Sequence, residues 1–186
     1  MSARILVSLA LCLGACAPAA KAPQAEGRAE AQLQVSMLIQ RARAFAEAGD
    51  YTRAEQYLNL ATLNGGDPAQ VISLLIDVCV RDQRYRAALE YAEEHLRRHP
   101  RSDRLRYVEA TLLQALGDIA KSRKELERVL ETSPDLADAH FTIAILLRDA
   151  LGSHLDADGH FREYLRLAPG GEHAEEARES LLQAMP

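Results

Sequence analysis

The sequence contains no tryptophan, and aromatic residues make up only 5% of its 186 positions. A platform of aromatic rings that binds carbohydrate is therefore not expected. The net charge is −5, and the basic residues form no long block. Because nucleic-acid-binding domains usually carry a basic patch, this composition argues against nucleic acid as a partner.

The sequence motifs of common enzymes are missing as well. There is no His-Glu-x-x-His, no Gly-x-Ser-x-Gly, no phosphate-binding loop and no Gly-x-Gly-x-x-Gly. His95 and His99 are spaced like two metal ligands on one helix, but no third ligand is near them in sequence. His154 and His160, beside two aspartates, are interpreted as polar residues of a loop and a first helical turn. We therefore expect no enzyme activity, no metal and no cofactor.

One of the three cysteines follows a short apolar run near the start of the chain. Residues 5–13 are mostly apolar and follow Arg4, and the small residues Gly14 and Ala15 precede Cys16. This pattern is typical of a secretory signal peptide, and the run is too short to span a membrane. It resembles the lipobox of bacterial lipoproteins, which implies cleavage before Cys16 and a lipid on its sulfur. The alternative is an ordinary secretory signal with Cys16 beside the cleavage site by chance.

The resemblance to lipoproteins also implies a location. Ala17 follows the cysteine, whereas aspartate at that position favours retention in the inner membrane, so we expect the outer membrane with the domain facing the periplasm. Residues 16–29 are small and proline-bearing, and they are predicted to form a flexible tether. Cys12 lies in the signal peptide, residues 1–15, which leaves Cys79 without a disulfide partner. Cys79 is predicted to be a small buried residue on an apolar helix face.

The chain then repeats itself every 34 residues. The turns Gly49-Asp50-Tyr51, Gln83-Arg84-Tyr85 and Gly117-Asp118-Ile119 share this spacing. A small residue follows each turn at the same distance: Ala54, Ala88 and Ser122. A repeat of this length indicates a stack of helix pairs.

This pattern resembles the tetratricopeptide repeat (TPR) family over about residues 35–169, and a fourth copy requires one inserted residue. The resemblance implies an all-α fold, a right-handed superhelix of antiparallel helix pairs with about four repeats, here residues 30–169. A last segment, residues 170–186, is predicted to cap the stack. The predicted helices are 30–47, 52–64, 68–82, 85–98, 103–116, 119–132, 135–150, 155–167 and 171–184.

In this family the first helix of each pair lines a concave face that binds an extended or helical peptide. The resemblance places the following residues in that groove: Arg43, Asp77, Arg81, Arg104, Tyr107, Thr111, Gln114, Phe141, Ile145 and Arg148. Tyr107, Phe141 and Ile145 are predicted to form an apolar shelf rimmed by arginines. In the alternative, the two aromatic residues pack between helices and the arginines pair with neighbouring aspartates. The lysine and asparagine pattern with which some TPR domains bind a C-terminal carboxylate is absent.

These expectations lead to a hypothesis for function. The protein is predicted to be a non-catalytic outer-membrane lipoprotein and a protein-interaction scaffold of an envelope-spanning machine. Its architecture resembles that of the pilotins of type IV pili and the TPR lipoproteins of gliding motility. The alternatives are an accessory lipoprotein of outer-membrane protein assembly or secretion, or an activator of a cell-wall enzyme. No sequence feature indicates an oligomeric state.

Overall fold

The computed structural model describes residues 23–182, so the predicted signal peptide and Cys16 lie outside the described residues. Within this range the chain folds into nine α-helices and one π-helical turn. The helices are α1 (Pro23–Glu47), α2 (Tyr51–Leu63), α3 (Pro68–Arg81), α4 (Tyr85–Arg98), α5 (Asp103–Ala115), α6 (Ile119–Thr132), α7 (Ala137–Ile145), α8 (His154–Leu167) and α9 (Ala174–Glu179). The π-helical turn, Leu146–Ala150, continues α7.

The predicted turns connect the two helices of each pair. Gly49 and Gly117 have positive φ angles of 77° and 81°, which reverse the chain direction at little steric cost. After each glycine, an aspartate accepts a hydrogen bond from the backbone three residues later: Arg53 N donates to Asp50, and Lys121 N donates to Asp118. This cap satisfies one of the free N–H groups of the second helix.

The helices form successive antiparallel pairs, α1–α2, α3–α4, α5–α6 and α7–α8. The small residues early in the second helices are all but inaccessible to solvent, which allows the two helices of a pair to approach closely. They are Ala54, Ala88, Ser122 and Ala157. Three adjoining apolar clusters run along the stack instead of one central core. Each pair therefore depends on its neighbours for burial, as is usual for stacked repeats.

The first helix differs from its predicted bounds. It begins at Pro23 rather than at residue 30, so residues 23–29 of the predicted tether are helical. Proline is favoured in the first turn of a helix, and the alanine, glutamate and glutamine that follow are good helix formers. The bounds of the helices from α2 to α8, with the π-helical turn counted as part of α7, agree with the prediction to within two residues.

The inserted residue of the fourth repeat is accommodated by the π-helical turn. The turn glycine of this repeat, Gly152, follows Gly117 by 35 residues instead of 34 and also has a positive φ angle. Leu146–Ala150 adopts π-helical geometry, which holds one more residue per turn than an α-helix, and Leu151 N donates to the Leu146 carbonyl at 3.3 Å. The chain therefore enters α8 in the register of the other repeats.

The C-terminal segment covers the end of the stack, as predicted. Ala174 and Ala177 of α9 are buried against the last apolar cluster, and Leu181 packs beside them. The helix is shorter than the predicted 171–184, and Leu182, which follows it, is 44% exposed. No helix within residues 23–182 is long and apolar enough to cross a membrane.

Candidate functional site

The predicted groove residues lie on α1, α3 and α5 and in the segment formed by α7 and its π-helical turn. We call the surface formed by these first helices the first-helix face. Between α3 and α5 it contains a pit of about 340 Å³. Ile72 and Ile76 form one wall, and Leu105 and Val108 form the other. The pit is suited to an aliphatic side chain of a ligand.

The pit is bordered by a histidine of α4. His95 is half-buried there, at a position where two other repeats have the fully buried Ala61 and Val129. Burial, and then the nearby His99 and Arg98, lower the pKa of His95 below its usual value. At neutral pH the pit is therefore lined by an uncharged imidazole.

The rim of the pit carries polar groups that face solvent. Ser73 and Arg104 line its edge and are both exposed. Within residues 23–182 no carboxylate forms an ion pair with Arg104. Arg43 on α1 is likewise exposed, beside a second pocket of about 580 Å³. Two cationic side chains of the predicted groove are thus available to a ligand.

Other predicted groove residues contact one another along a helix. Arg81 Nε lies 3.0 Å from an Asp77 carboxylate oxygen, and both side chains are about half exposed. The Thr111 hydroxyl donates to the Val108 carbonyl at 2.8 Å, and Gln114 is partly buried. These contacts lie within α3 and α5, and none of the four predicted groove residues lines the pit.

The predicted apolar shelf is not open. Phe141 is 8% exposed, and its ring stacks on that of His173 with centroids 4.2 Å apart. Tyr107 is half-buried, and its hydroxyl lies 3.0 Å from the Thr142 hydroxyl, while Ile145 packs against the same cluster. Burial is the main cause that raises the pKa of Tyr107. These contacts are of the kind described by the alternative prediction, in which the aromatic residues pack between helices.

Arg148 also makes contacts that stabilise the fold. Its guanidinium donates to Asp149 at 2.6 Å and to the Ser180 hydroxyl at 2.5 Å, and it lies over the Phe161 ring at 5.5 Å. These contacts connect the π-helical turn to the segment after α9. Arg148 therefore holds the C-terminal cap rather than lining an open groove.

Residues 23–182 contain no cluster of three or more His, Cys, Asp or Glu side chains suited to a metal ion. The His95 and His99 rings lie 4.5 Å apart at the end of α4. Cys79 is fully buried, as predicted. Sequence reasoning missed the apolar pit, since the side chains that enclose it come from three different helices.

Comparisons with known proteins agree with this architecture. The sequence profile described as tetratricopeptide repeat matches residues 80–145. A crystal structure of a tetratricopeptide repeat protein from Parabacteroides merdae superposes with a TM-score of 0.68 at 20% identity, over 80% of this chain. Residues 80–145 thus match the tetratricopeptide repeat family, and residues 23–182 have the fold of a tetratricopeptide repeat superhelix. This chain covers 59% of the length of the Parabacteroides protein.

Two further structures resemble this fold. YrrB, whose structure is described as a TPR protein with an unusual peptide-binding site, has a TM-score of 0.64 at 16% identity, over 78% of this chain and 74% of its own. MamA from Desulfovibrio magneticus has a TM-score of 0.63 at 14% identity, over 79% and 90%. At these identities the likeness is one of fold. No curated protein sequence matches the chain.

Proposed function

We propose that this protein is a lipid-anchored interaction scaffold, which holds a peptide segment of a partner protein on its first-helix face. The observation that carries the proposal is the apolar pit between α3 and α5 with the free guanidinium of Arg104 at its rim. An aliphatic side chain of the partner fills the pit, and Arg104 binds a carboxylate or carbonyl oxygen beside it. The peptide-binding site of YrrB supports this use of the fold.

The anchor is the second part of the proposal. The apolar run, the two small residues and Cys16 support a lipoprotein of the outer membrane, with the array in the periplasm. There it serves an envelope-spanning machine, either surface motility or type IV pilus assembly. The lipid fixes the location of the scaffold, and the first-helix face selects the partner.

Photo-crosslinking in living cells tests the groove. A photoreactive amino acid at Ser73, on the rim of the pit, is expected to crosslink one envelope protein that mass spectrometry identifies. The same amino acid at Arg97, on the exposed side of α4, is the control and should not capture that protein. A partner captured from Arg97 but not from Ser73 would exclude the pit as the binding surface.

Arg104→Glu is the matching substitution. It replaces a charge-assisted hydrogen bond with repulsion, and we expect at least about tenfold weaker binding of the crosslinked partner. Arg97→Glu makes the same charge change elsewhere and should bind like the wild type. Unchanged affinity of Arg104→Glu would contradict the proposal.

Cys16→Ala tests the anchor separately. Labelling with radioactive palmitate and fractionation of the membranes should show loss of the lipid and of outer-membrane location. Cys12→Ala, which keeps the residues beside the predicted cleavage site, should still be labelled. Labelled Cys16→Ala protein would refute the lipid anchor without affecting the interpretation of the pit.

A further inference from the structure

A wide cleft lies farther along the array than the pit, between α6 and α8. It has a volume of about 890 Å³, and we call it the α6–α8 cleft. Leu130, Ile143 and Leu147 form an apolar floor. Leu155 lies at the edge of the cleft and is 77% exposed to solvent. The cleft thus offers a surface that an aliphatic side chain can occupy.

The π-helical turn forms part of this cleft. Leu147 belongs to both, and its carbonyl accepts a hydrogen bond from Ser153 N at 2.8 Å. The turn occurs only in the fourth of the described helix pairs, where the inserted residue is. Single π turns inside α-helices are frequent at functional sites.

At the side of the cleft, the hydrogen bonds of two histidines determine which of their ring nitrogens carry a proton. His140 Nε2 lies 3.0 Å from the Pro134 carbonyl, which can only accept, so His140 donates there. In a neutral ring His140 Nδ1 is then an acceptor, and His160 Nδ1, at 3.0 Å, must donate to it. His160 Nε2 is left as an acceptor, and no hydrogen-bond partner for it occurs within residues 23–182.

The charged residues of the cleft are mostly acidic. Four carboxylates line it, against one arginine. Arg123 binds Glu127 at 2.7 Å on α6, and Arg166 binds Glu163 at 2.6 Å on α8. Glu131 of α6 forms no ion pair with any residue in the described part of the chain, and Asp156 accepts only from the Ser153 hydroxyl. The cleft therefore complements a positive charge.

We propose that the α6–α8 cleft is a second protein-binding surface, which takes a lysine or arginine next to an aliphatic residue of a partner. The negative charges of Glu131 and Asp156 attract the cation, which donates to His160 Nε2. The aliphatic residue lies on the apolar floor beside Leu155. This surface is separate from the pit on the first-helix face, so the scaffold holds two partners at once.

The arrangement makes binding sensitive to pH. His160 faces His140 of α7, Glu127 and Arg123 of α6, and the acids Asp156 and Glu163 of α8. Burial first, and then His140, lower the pKa of His160 below its usual value, so the ring is neutral at pH 7.5. Protonation at lower pH turns Nε2 into a donor and adds a positive charge, which repels a bound cation.

Selection from random 12-residue peptides displayed on phage tests the proposal with the detergent-purified full protein as target. Peptides recovered at pH 7.5 should be enriched in lysine or arginine within four residues of leucine, isoleucine or methionine. They should bind Glu131→Lys at least about tenfold more weakly. Glu90→Lys, a matched change of an exposed acid on α4, should bind as the wild type does.

Two further measurements separate this surface from the pit. Arg104→Glu should bind the selected peptides with unchanged affinity, which distinguishes the result from a failure of the proposed function. Affinity should fall at least fivefold between pH 7.5 and pH 5 for the wild type, but not for His160→Gln, whose amide oxygen still accepts. The absence of a basic consensus among the selected peptides, or equal binding of these peptides to Glu131→Lys, would overturn the proposal.

Discussion

Ser122 is a single residue at which the repeats can be compared directly. Its position is alanine in the other three second helices, and its hydroxyl is a buried polar atom without a hydrogen-bond partner within residues 23–182. A buried hydroxyl that makes no hydrogen bond lowers stability, because it has lost its bonds with water. The close helix contact, by contrast, requires only a small side chain. The hydroxyl thus adds a cost that alanine at the same position would not have.

We therefore expect Ser122→Ala to raise the free energy of unfolding by about 1 kcal/mol, which corresponds to roughly 2–4 °C in melting temperature. Thermal unfolding followed by circular dichroism measures the change. Ala88→Ser, the reverse substitution at the equivalent position of the preceding repeat, should lower stability by a similar amount. A destabilised Ser122→Ala protein would show that the hydroxyl has a partner.

Glu109 is a second residue whose surroundings change the pKa of its side chain and, through it, the stability of the protein. Burial first, and then the nearby carboxylate of Glu125, raise its pKa to about 7. Because the pKa in the folded protein lies above that in the unfolded chain, the folded state binds the proton more tightly. The contribution of Glu109 to the free energy of unfolding is therefore fully present below its unfolded pKa near 4.5. This contribution is lost as the pH rises through about 7.

Glu109→Gln removes the ionisation. We expect it to stabilise the protein at pH 8 by about 1 to 3 kcal/mol, with screening by solvent favouring the lower end, and to have little effect at pH 4.5. Urea unfolding at the two pH values measures the difference. Glu90→Gln, at an exposed position of α4, serves as the control, and an equal gain at both pH values would contradict the assignment.

At the scale of the helix, the turn between α3 and α4 departs from the repeat pattern. Gln83 has a positive φ angle of 59°, where the corresponding residues of the other three pairs are glycine. Arg84 N nevertheless donates to the Cys79 carbonyl at 2.8 Å, as Asp118 N does to the Leu113 carbonyl at 2.9 Å. The contacts of the helix end thus impose a left-handed conformation on a residue that has a side chain.

Gln83→Gly should relieve this strain and stabilise the protein by about 0.5 to 1 kcal/mol, after the greater flexibility of glycine in the unfolded chain is counted. Gly117→Gln makes the opposite change in the next turn. No other heavy atom lies within 4 Å of a Cβ added there, so the substitution tests the backbone conformation. We expect it to lower the melting temperature. Equal stability of the three proteins would mean that the turn tolerates either residue.

At the scale of the whole molecule, the array ends on a covered face. Ala174 and Ala177 lie against a cluster that includes Phe161 and Tyr164, and the Tyr164 hydroxyl accepts a hydrogen bond from His173 N at 3.0 Å. Stacked repeats expose apolar surface at their ends unless a polar-backed segment covers it. The short α9 and its flanking residues provide that cover at the C-terminal end.

Ala177→Glu places an unpaired carboxylate in this contact. We expect it to destabilise the protein by at least about 3 kcal/mol and to increase aggregation, because the charge is buried or the cap detaches. Ala120→Glu, the same change at an exposed position of α6, should have a small effect. Unfolding in urea and light scattering measure the two results, and a soluble, fully stable Ala177→Glu protein would show that the cap is dispensable.

The sequence by itself determined the class of fold, the number of helix pairs and most helix ends. These follow from local signals: glycine and aspartate at the turns, small residues at close contacts and a fixed period of 34 residues. A one-residue insertion was also visible before Gly152. Its accommodation as a π-helical turn was not, since a helix can absorb an extra residue at several places.

Only the tertiary structure decided which side chains of the predicted groove are free. Arg104 and Arg148 occupy corresponding faces of their helices, yet Arg104 is exposed at an open pit and Arg148 is bound by Asp149 and Ser180. Phe141 likewise does not form an open shelf, because the ring of His173, far along the chain, stacks on its ring. The pit and the pairing of His140 with His160 require residues from different helices to meet. A repeat period specifies where a residue lies on its helix, but the neighbouring elements determine what it contacts.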